Sequence, residues 1–141
     1  MTNETNVRLA RPDDLDFVRQ DGYVPAEVVR RKIELQEAVV ADRGGQRAGY
    51  MRLEYLWSVV PCISMIRVQV EYRRQGIGTA MLHFAEAFLR ERGHTALYSS
   101  SQANEPEPQA WHRRMGFEEC GIITGINEGG IGEVFFRKQL A

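Results

Sequence analysis

Two glycines one residue apart stand where an alternating segment gives way to a helical one. Ile66, Val68 and Val70 alternate with polar residues, which is the period-two pattern of a half-buried strand. The string Arg73-Arg-Gln-Gly-Ile-Gly78 follows, and apolar residues then recur at helical spacing as far as Gly93. Such a junction turns several backbone N–H groups toward one point at the positive end of a helix dipole. The pattern predicts a binding site for a phosphate or pyrophosphate group.

Two common nucleotide-binding motifs fit this segment poorly. A Walker A loop requires a Lys and then a Ser or Thr directly after its last glycine, and the chain has no such string. A dinucleotide fingerprint requires a third glycine where Met81 stands, and an acidic residue about 20 positions further on. The chain has Ala96-Leu-Tyr-Ser99 there instead. A nucleotide-binding regulatory domain that takes NAD or ATP is therefore a distant alternative.

The same segment resembles the acyl-CoA signature of the GNAT superfamily of N-acyltransferases, Arg/Gln-x-x-Gly-x-Gly/Ala. As in that family, a strand precedes it and a helix follows it. The resemblance implies that the N–H groups of residues 74–79 hold a pyrophosphate. It also implies that strand 66–70 pairs with the pantetheine arm, with an N–H near Val68 facing the thioester oxygen. The implied acetyl-CoA-binding residues in this region are Val68, Val70, Arg73, Arg74, Gln75, Gly76, Ile77, Gly78 and Thr79.

A second segment, Ala110-Trp-His-Arg-Arg-Met-Gly-Phe117, resembles the family's Ala-x-x-Tyr-x-x-x-Gly-Phe. In the family the tyrosine serves as general acid for the CoA thiolate, and His112 stands in its position here. Imidazole can do this work because its ordinary pKa lies near neutrality. The alternatives are that His112 only packs or hydrogen-bonds beside CoA, or that no acid is needed because a thiolate is a good leaving group. Asn104 resembles the asparagine that bonds the pantetheine arm, one residue further upstream than usual, and the alternative is an Asn that stabilises the loop beside the prolines.

The general base has the weakest signal in the sequence. Relatives often take it from a Glu in a central strand, but the predicted strand 62–70 contains no acidic residue. Glu54 is the nearest carboxylate on a neighbouring strand, and the alternatives are a surface role or a chain of waters. Only three histidines occur and they are scattered, so we expect no metal site.

Hydrophobic periodicity and turn signals predict the order β-α-α-β-β-β-α-β-α-β-β, an α/β fold with a mixed sheet flanked by helices. A helix between two central strands predicts at least one parallel pair. This order is also that of the GNAT fold. The predicted strands cover 7–11, 37–41, 46–60, 62–70, 95–101, 119–126 and 133–138, and the helices cover 13–19, 26–36, 77–93 and 109–115.

The length of 141 residues predicts a single domain over 1–141. A net charge of −1 gives no sign of a nucleic-acid or membrane partner, and the first residues do not resemble a signal peptide, so we expect a cytoplasmic protein. Cys62 and Cys120 are expected to be buried thiols. The family resemblance also allows a homodimer.

The resemblance to the GNAT superfamily implies an N-acetyltransferase that moves an acetyl group from acetyl-CoA to a primary amine. By resemblance, the amine attacks the thioester directly in a ternary complex. A protein or peptide N-acetyltransferase is the near alternative. A CoA-binding module without catalysis is the other, because the family's tyrosine is replaced by His112.

Overall fold

The structure, a computed structural model, describes residues 4–140. Short 3-10 turns add to the strands and helices at Pro12–Asp14, Val70–Tyr72 and Glu128–Gly130. The predicted order of strands and helices is confirmed. In this part of the chain the elements are β1 (Thr5–Leu9), α1 (Leu15–Val18), α2 (Ala26–Glu34), β2 (Ala38–Arg43), β3 (Gln46–Leu56), β4 (Val60–Val68), α3 (Ile77–Glu91), β5 (Ala96–Gln102), α4 (Pro106–Arg114), β6 (Glu118–Ile123) and β7 (Glu133–Gln139).

The strands form one mixed sheet in the order β1-β2-β3-β4-β5-β7-β6, flanked by helices. β1 pairs with β2, β2 with β3, β5 with β7 and β6 with β7, all antiparallel. β4 and β5 run parallel, and their register pairs Cys62 with Tyr98 and Ile63 with Ser99. The predicted parallel pair is therefore confirmed.

The described residues divide into two compact units, and the prediction of a single domain over 1–141 stays a prediction. The first unit contains residues 4–54 and 64–88. Val29 and Ile33 lie four residues apart on one face of α2 and are buried. They join a core cluster with Val18, Val40 and the fully buried Tyr50.

The second unit contains residues 55–63 and 89–140. β5 shows the expected alternation, with Leu97, Ser99 and Ser101 buried on one face. α4 lies against that face, because the side chain of its His112 contacts Ser99. β6 is the edge strand next to β7, and all six of its residues are exposed.

The largest boundary error of the prediction lies between β3 and β4. A long strand over 46–60 was expected, but β3 ends at Leu56, and Trp57 and Ser58 form a tight turn with φ of 52° and 66°. Pro61, expected to be a break, is a buried residue of β4. β4 ends at Val68, so Val70 lies in a 3-10 turn and is not a strand residue.

One buried residue was not foreseen, and two further expectations were wrong. Glu86, a charged residue of α3, is 4% exposed. α4 begins at Pro106, three residues before the expected start, because proline is well tolerated in the first turn of a helix. Cys62 is buried as expected, whereas Cys120 is exposed on the edge strand β6.

Candidate active site

The glycine loop of the first unit has an unusual backbone conformation. Arg74 and Gly76 both have positive φ, 64° and 77°, and α3 begins at the next residue, Ile77. Arg73, before this pair, is extended, with φ of −70° and ψ of 157°. Turns with left-handed residues are common where backbone N–H groups bind an anion. A Cβ built on Gly76 would meet no heavy atom within 4 Å, so the space beside this residue is open. The loop therefore offers room and donors for an oxyanion.

The start of α3 adds further N–H donors and the positive end of a helix dipole. The hydrogen bond from Ala80 N–H to the Gly76 carbonyl, 3.0 Å long, is the first of this helix. The N–H groups of the first turn lie at the positive end of the helix dipole. Arg73 and Arg74 bring two exposed guanidinium groups to the same loop. This electrostatic environment favours a phosphate.

The end of β4 presents backbone groups beside this loop. Gln69 N–H donates to the Ala48 carbonyl of β3, at 2.8 Å. Because successive residues of a strand direct their backbone groups to opposite sides, the N–H and C=O of Val68 lie on the edge that faces away from β3. The Val68 carbonyl accepts a 3.0 Å hydrogen bond from Arg73 Nε. Arg73 therefore ties the loop to the strand, a contact that sequence reasoning missed.

Gly49 of β3 sets the position of α3 and was not singled out from the sequence. A Cβ at this residue would lie 2.9 Å from the Arg67 carbonyl and 3.1 Å from Met81 Cε. Only a glycine lets the β4 backbone and the helix approach this closely. Ile77, the first residue of α3, is 1% exposed and fixes the helix start. The packing of Gly49 and Ile77 thus fixes the position of the loop.

Glu54, the predicted base, lies near the end of β3 in the first unit. Its side chain is 54% exposed, and its Oε1 lies 3.0 Å from Lys32 Nζ. The buried Lys32 also donates to the Leu53 carbonyl, at 2.7 Å, and to Glu37, at 3.3 Å. The carboxylate is therefore accessible, but it already has a cationic partner. Its role as base stays a prediction.

A buried ion pair in the first unit gave no signal in the sequence. Arg52 is 2% exposed and donates to both carboxylate oxygens of Asp21, at 2.6 and 3.0 Å, and to the Val18 carbonyl. Burial alone would raise the pKa of Asp21, but the hydrogen bonds from Arg52 and Tyr50 hold it well below its usual range. Burial and the bond to Asp21 raise the pKa of Tyr50 to about 12. This cluster fixes the segment after α1.

His112, the predicted acid, is in the second unit and is 3% exposed. Its Nδ1 lies 2.7 Å from the Pro108 carbonyl, and its Nε2 lies 2.7 Å from Ser99 Oγ. A carbonyl can only accept, so Nδ1 carries the proton and the neutral ring accepts at Nε2 from the Ser99 hydroxyl. The ring stacks on Phe136 with centroids 4.5 Å apart. Both nitrogens are engaged within the protein.

The environment of His112 also disfavours its charged form. Burial lowers the pKa of His112 below its ordinary value, although the Pro108 carbonyl acts in the opposite direction. At neutral pH the ring is therefore an uncharged member of the packing between α4, β5 and β7. Its catalytic role stays a prediction. Asn104 is exposed, and it is Gln109 that bridges the Gln102 and Ala103 carbonyls before α4, at 3.2 and 3.1 Å.

The predicted site residues fall into two groups. One group lies in the first unit: the continuous segment that holds Val68, Val70 and residues 73–79, and also Glu54. Asn104 and His112 belong to the second unit.

Comparison with known proteins identifies the family. Residues 34–119, from the end of α2 to the start of β6, match the family described as acetyltransferase (GNAT) domain. The chain belongs to the GNAT family.

Relatives of this GNAT chain differ in how much of their length it covers. It is 36% identical over 120 residues to the streptothricin acetyltransferase of Streptomyces lavendulae, which is 84% of this chain and 60% of that protein. A ribosomal-protein-alanine N-acetyltransferase from Brucella melitensis is 25% identical, with a TM-score of 0.78 over 96% of this chain and 99% of its own. A protein from Bacillus anthracis str. Ames, crystallised in complex with acetyl coenzyme A, is 19% identical, with a TM-score of 0.67 over 74% and 62%.

Two features are absent from residues 4–140 of this GNAT chain. We found no group of three or more His, Cys, Asp and Glu side chains arranged to hold a metal ion. None of the helices in that range combines the length and apolarity needed to cross a bilayer.

Proposed function

We propose that this GNAT protein transfers an acetyl group from acetyl-CoA to a primary amine. The observation that carries the proposal is the left-handed pair Arg74 and Gly76 at the start of α3, with open space beside Gly76. Among relatives with the same fold, the Bacillus anthracis protein was crystallised with acetyl coenzyme A, which supports this choice of ligand. The pyrophosphate would lie on the N–H groups of residues 74–79.

In the proposed complex the acyl arm follows the edge of β4. The N–H of Val68, which faces away from β3, would donate to the thioester oxygen and stabilise the negative charge that develops there. The amine nitrogen attacks the thioester carbon, the new C–N bond forms, and the C–S bond breaks with its electron pair on sulfur. One proton must leave the attacking ammonium, and another must reach the thiolate.

For these proton transfers we assign the base to Glu54 and the acid to His112, whose neutral ring must first take up a proton at Nε2. Each residue also has a structural role, in the ion pair with Lys32 and in the bond to Ser99. Lys32 provides a matched control for the base, because Glu54 and Glu37 both lie within 3.3 Å of its Nζ. Glu54→Gln should lower kcat roughly 100-fold or more if Glu54 is the base, whereas Glu37→Gln should not. Equal, small effects of both variants would leave Glu54 as a partner of Lys32 only.

A protein or peptide N-terminal amine is the second candidate acceptor. The Brucella melitensis relative supports it, since the similarity covers 99% of that enzyme, whereas only 60% of the streptothricin acetyltransferase is covered. Free CoA release with small amines and with peptides of varied first residue would separate the two classes of acceptor.

The first experiment is a thermal-shift series with acetyl-CoA, CoA, NAD and ATP. Ligands that bind the native state raise its stability by mass action. We expect shifts with the two CoA species only. Stabilisation by NAD or ATP alone would overturn the proposal. Stabilisation by CoA, with no acetyl transfer to any amine or peptide, would favour the non-catalytic module.

A further inference from the structure

One arginine of strands β1 to β4 has an exposed guanidinium group without a partner. Arg67 lies in the first unit, in β4 directly before Val68, and its side chain is exposed. Its guanidinium group has no hydrogen-bond or ion-pair partner among residues 4–140. The other arginines of these strands each donate to a neighbouring side chain, namely Arg8 and Arg47 to Asp14, Arg43 to Thr5 and Arg52 to Asp21. The positive charge of Arg67 is thus available to a group from outside the described chain.

The backbone of Arg67 belongs to the proposed thioester site itself. Its carbonyl and the N–H of Val68, the proposed donor to the thioester oxygen, form one peptide group. The carbonyl lies 2.9 Å from the position that a Cβ would take on Gly49, so it faces β3. In a trans peptide the N–H points the opposite way, which directs the Val68 N–H away from β3. The guanidinium group of Arg67 therefore lies within one side-chain length of this donor.

The side chain of Arg67 lies on the face of the sheet opposite α3. Gly49 faces α3, because a Cβ there would lie 3.1 Å from Met81 Cε, and its neighbour Tyr50 therefore faces the other way. Met65, two residues before Arg67 on β4, packs against the core cluster that contains Tyr50. Burial and a hydrogen bond raise the pKa of Tyr50 to about 12, and the nearby positive charge of Arg67 opposes this shift. Strand alternation and electrostatics thus both place the guanidinium group on the face of Tyr50.

The face of Tyr50 also carries the proposed base. Glu54 alternates with Tyr50 along β3, and its carboxylate bonds to Lys32 of α2. The start of α3, where the pyrophosphate is proposed to bind, lies instead on the face of Gly49. In the proposed complex the acceptor amine therefore reaches the thioester from the face that carries Glu54. Arg67 lies on the side of the acceptor.

We infer that Arg67 binds a carboxylate of the acceptor, so that the preferred acceptors are amino acids or peptides with an acidic group near the amine that is acetylated. The inference rests on the proposed acetyl transfer and names its substrate class. A guanidinium group presents its N–H donors as a planar fork that matches the two oxygens of a carboxylate. Arg67 is then a binding residue, and no proton transfer is assigned to it.

The test compares acceptors that differ only in a carboxylate. One pair is 5-aminopentanoate and pentylamine, and the other is a pair of peptides with Asp or Asn as the first residue. Wild type, Arg67→Gln, Arg67→Glu and the control Arg31→Gln are titrated with all four in the presence of CoA, and acetyl transfer from acetyl-CoA is followed by thiol release. Arg31 is 70% exposed and lies outside the buried face of α2, so its substitution removes the same charge away from the site.

We expect wild type and Arg31→Gln to bind the acidic member of at least one pair roughly 10- to 100-fold more tightly than the uncharged member, as for a hydrogen bond between charged groups. Arg67→Gln should lose this preference, with an unchanged melting temperature and an unchanged Kd of CoA. Arg67→Glu should reverse the preference, because like charges then face each other.

A wild type without preference in both pairs, or an Arg67→Gln protein that keeps the preference, would overturn the inference. A weaker affinity of Arg67→Gln for CoA would also overturn it, since the arginine would then bind CoA and not the acceptor. Arg67-dependent binding of the acids without thiol release would leave the binding role of Arg67 standing and reject the acetyl transfer.

Discussion

The glycine loop and the surroundings of His112 differ in what lies next to their polar groups. In the loop, the space beside Gly76 is open, and the first turn of α3 follows directly. Around His112, the polar atoms are side chains, and they find their partners in Ser99 and the Pro108 carbonyl. Open space at the start of a helix suits a ligand, whereas polar groups that satisfy each other suit a core. The contrast teaches that a structural site differs from a binding site more in whether its polar groups pair with each other than in its residue types.

The most severe test of the contrast is Gly76→Glu. It places a carboxylate in the open space where the proposed pyrophosphate lies, and like charges held together cost several kcal/mol. We expect CoA affinity, measured by calorimetry, to fall more than about 100-fold. Gly45→Glu is the matched control, because Gly45 also has positive φ, 83°, and open space. Equal CoA affinity in the two variants would contradict the assignment of the loop.

The hydrogen bond between His112 and Ser99 is tested by a double-mutant cycle. His112→Phe keeps a ring against Phe136 but leaves the buried Ser99 hydroxyl without its partner, which should cost about 1–3 kcal/mol of unfolding free energy. Adding Ser99→Ala should recover part of that loss, since both polar groups are then gone. Chemical denaturation measures the cycle. Strict additivity would show that the two side chains do not depend on each other.

The kinetics of the same variant sharpen the contrast further. If His112 is the acid, His112→Phe lowers kcat and leaves the Kd of acetyl-CoA unchanged. A loss of stability with kcat preserved below the melting temperature would make it a structural residue.

The pH dependence of stability reports on the same ring. The folded pKa of His112 lies below its unfolded value near 6.5, so between these two values the unfolded state binds more protons. Its contribution is therefore lost as pH falls below about 6.5, by at most about 1.4 kcal/mol per pH unit. His112→Phe should show a flatter decline than wild type in melting temperature from pH 7.5 to 5. Parallel curves for the two proteins would contradict a buried, neutral imidazole.

The smallest expected effect comes from Arg74→Gly. Arg74 adopts a left-handed conformation at φ 64°, which costs a non-glycine residue about 1–2 kcal/mol. Glycine should therefore raise the free energy of unfolding by about 0.5–1 kcal/mol, while CoA affinity falls less than in Gly76→Glu. Gln75→Gly, next to it and without positive φ, should destabilise. A destabilised Arg74→Gly protein would mean that the arginine side chain contributes more than its backbone costs.

The sequence predicted the glycine loop well because its signals are local. A strand, two glycines and an amphipathic helix define the junction without reference to the rest of the chain. The element order followed for the same reason. The turn at Trp57 and Ser58 was missed because left-handed turns normally carry Gly, Asn or Asp, and this one carries none.

Features that depend on distant contacts could not be read from the sequence. Arg52 looks like an ordinary charged strand residue until the segment after α1 brings Asp21 within 2.6 Å. Glu86 falls on the polar face of a helical projection, yet it is buried. The bond between His112 and Ser99 joins residues 13 positions apart in the chain. In each case the tertiary structure determines which groups the residue contacts, and therefore its structural role.

Gly49 has a consequence for the tolerance of this protein to mutation. Even one added methyl group would lie 2.9 Å from the Arg67 carbonyl and within 3.4 Å of Ile77, the first residue of α3. Backbone cannot yield as a flexible side chain can, so the strain would pass to the start of the helix. In a library of random variants, this position should therefore be as depleted as the loop itself, although no ligand in the proposed complex contacts it. Depletion of variants at Gly49 would therefore indicate a structural requirement and not a binding residue. A map of intolerant positions has to be interpreted with the close packing of β3 against α3 in mind.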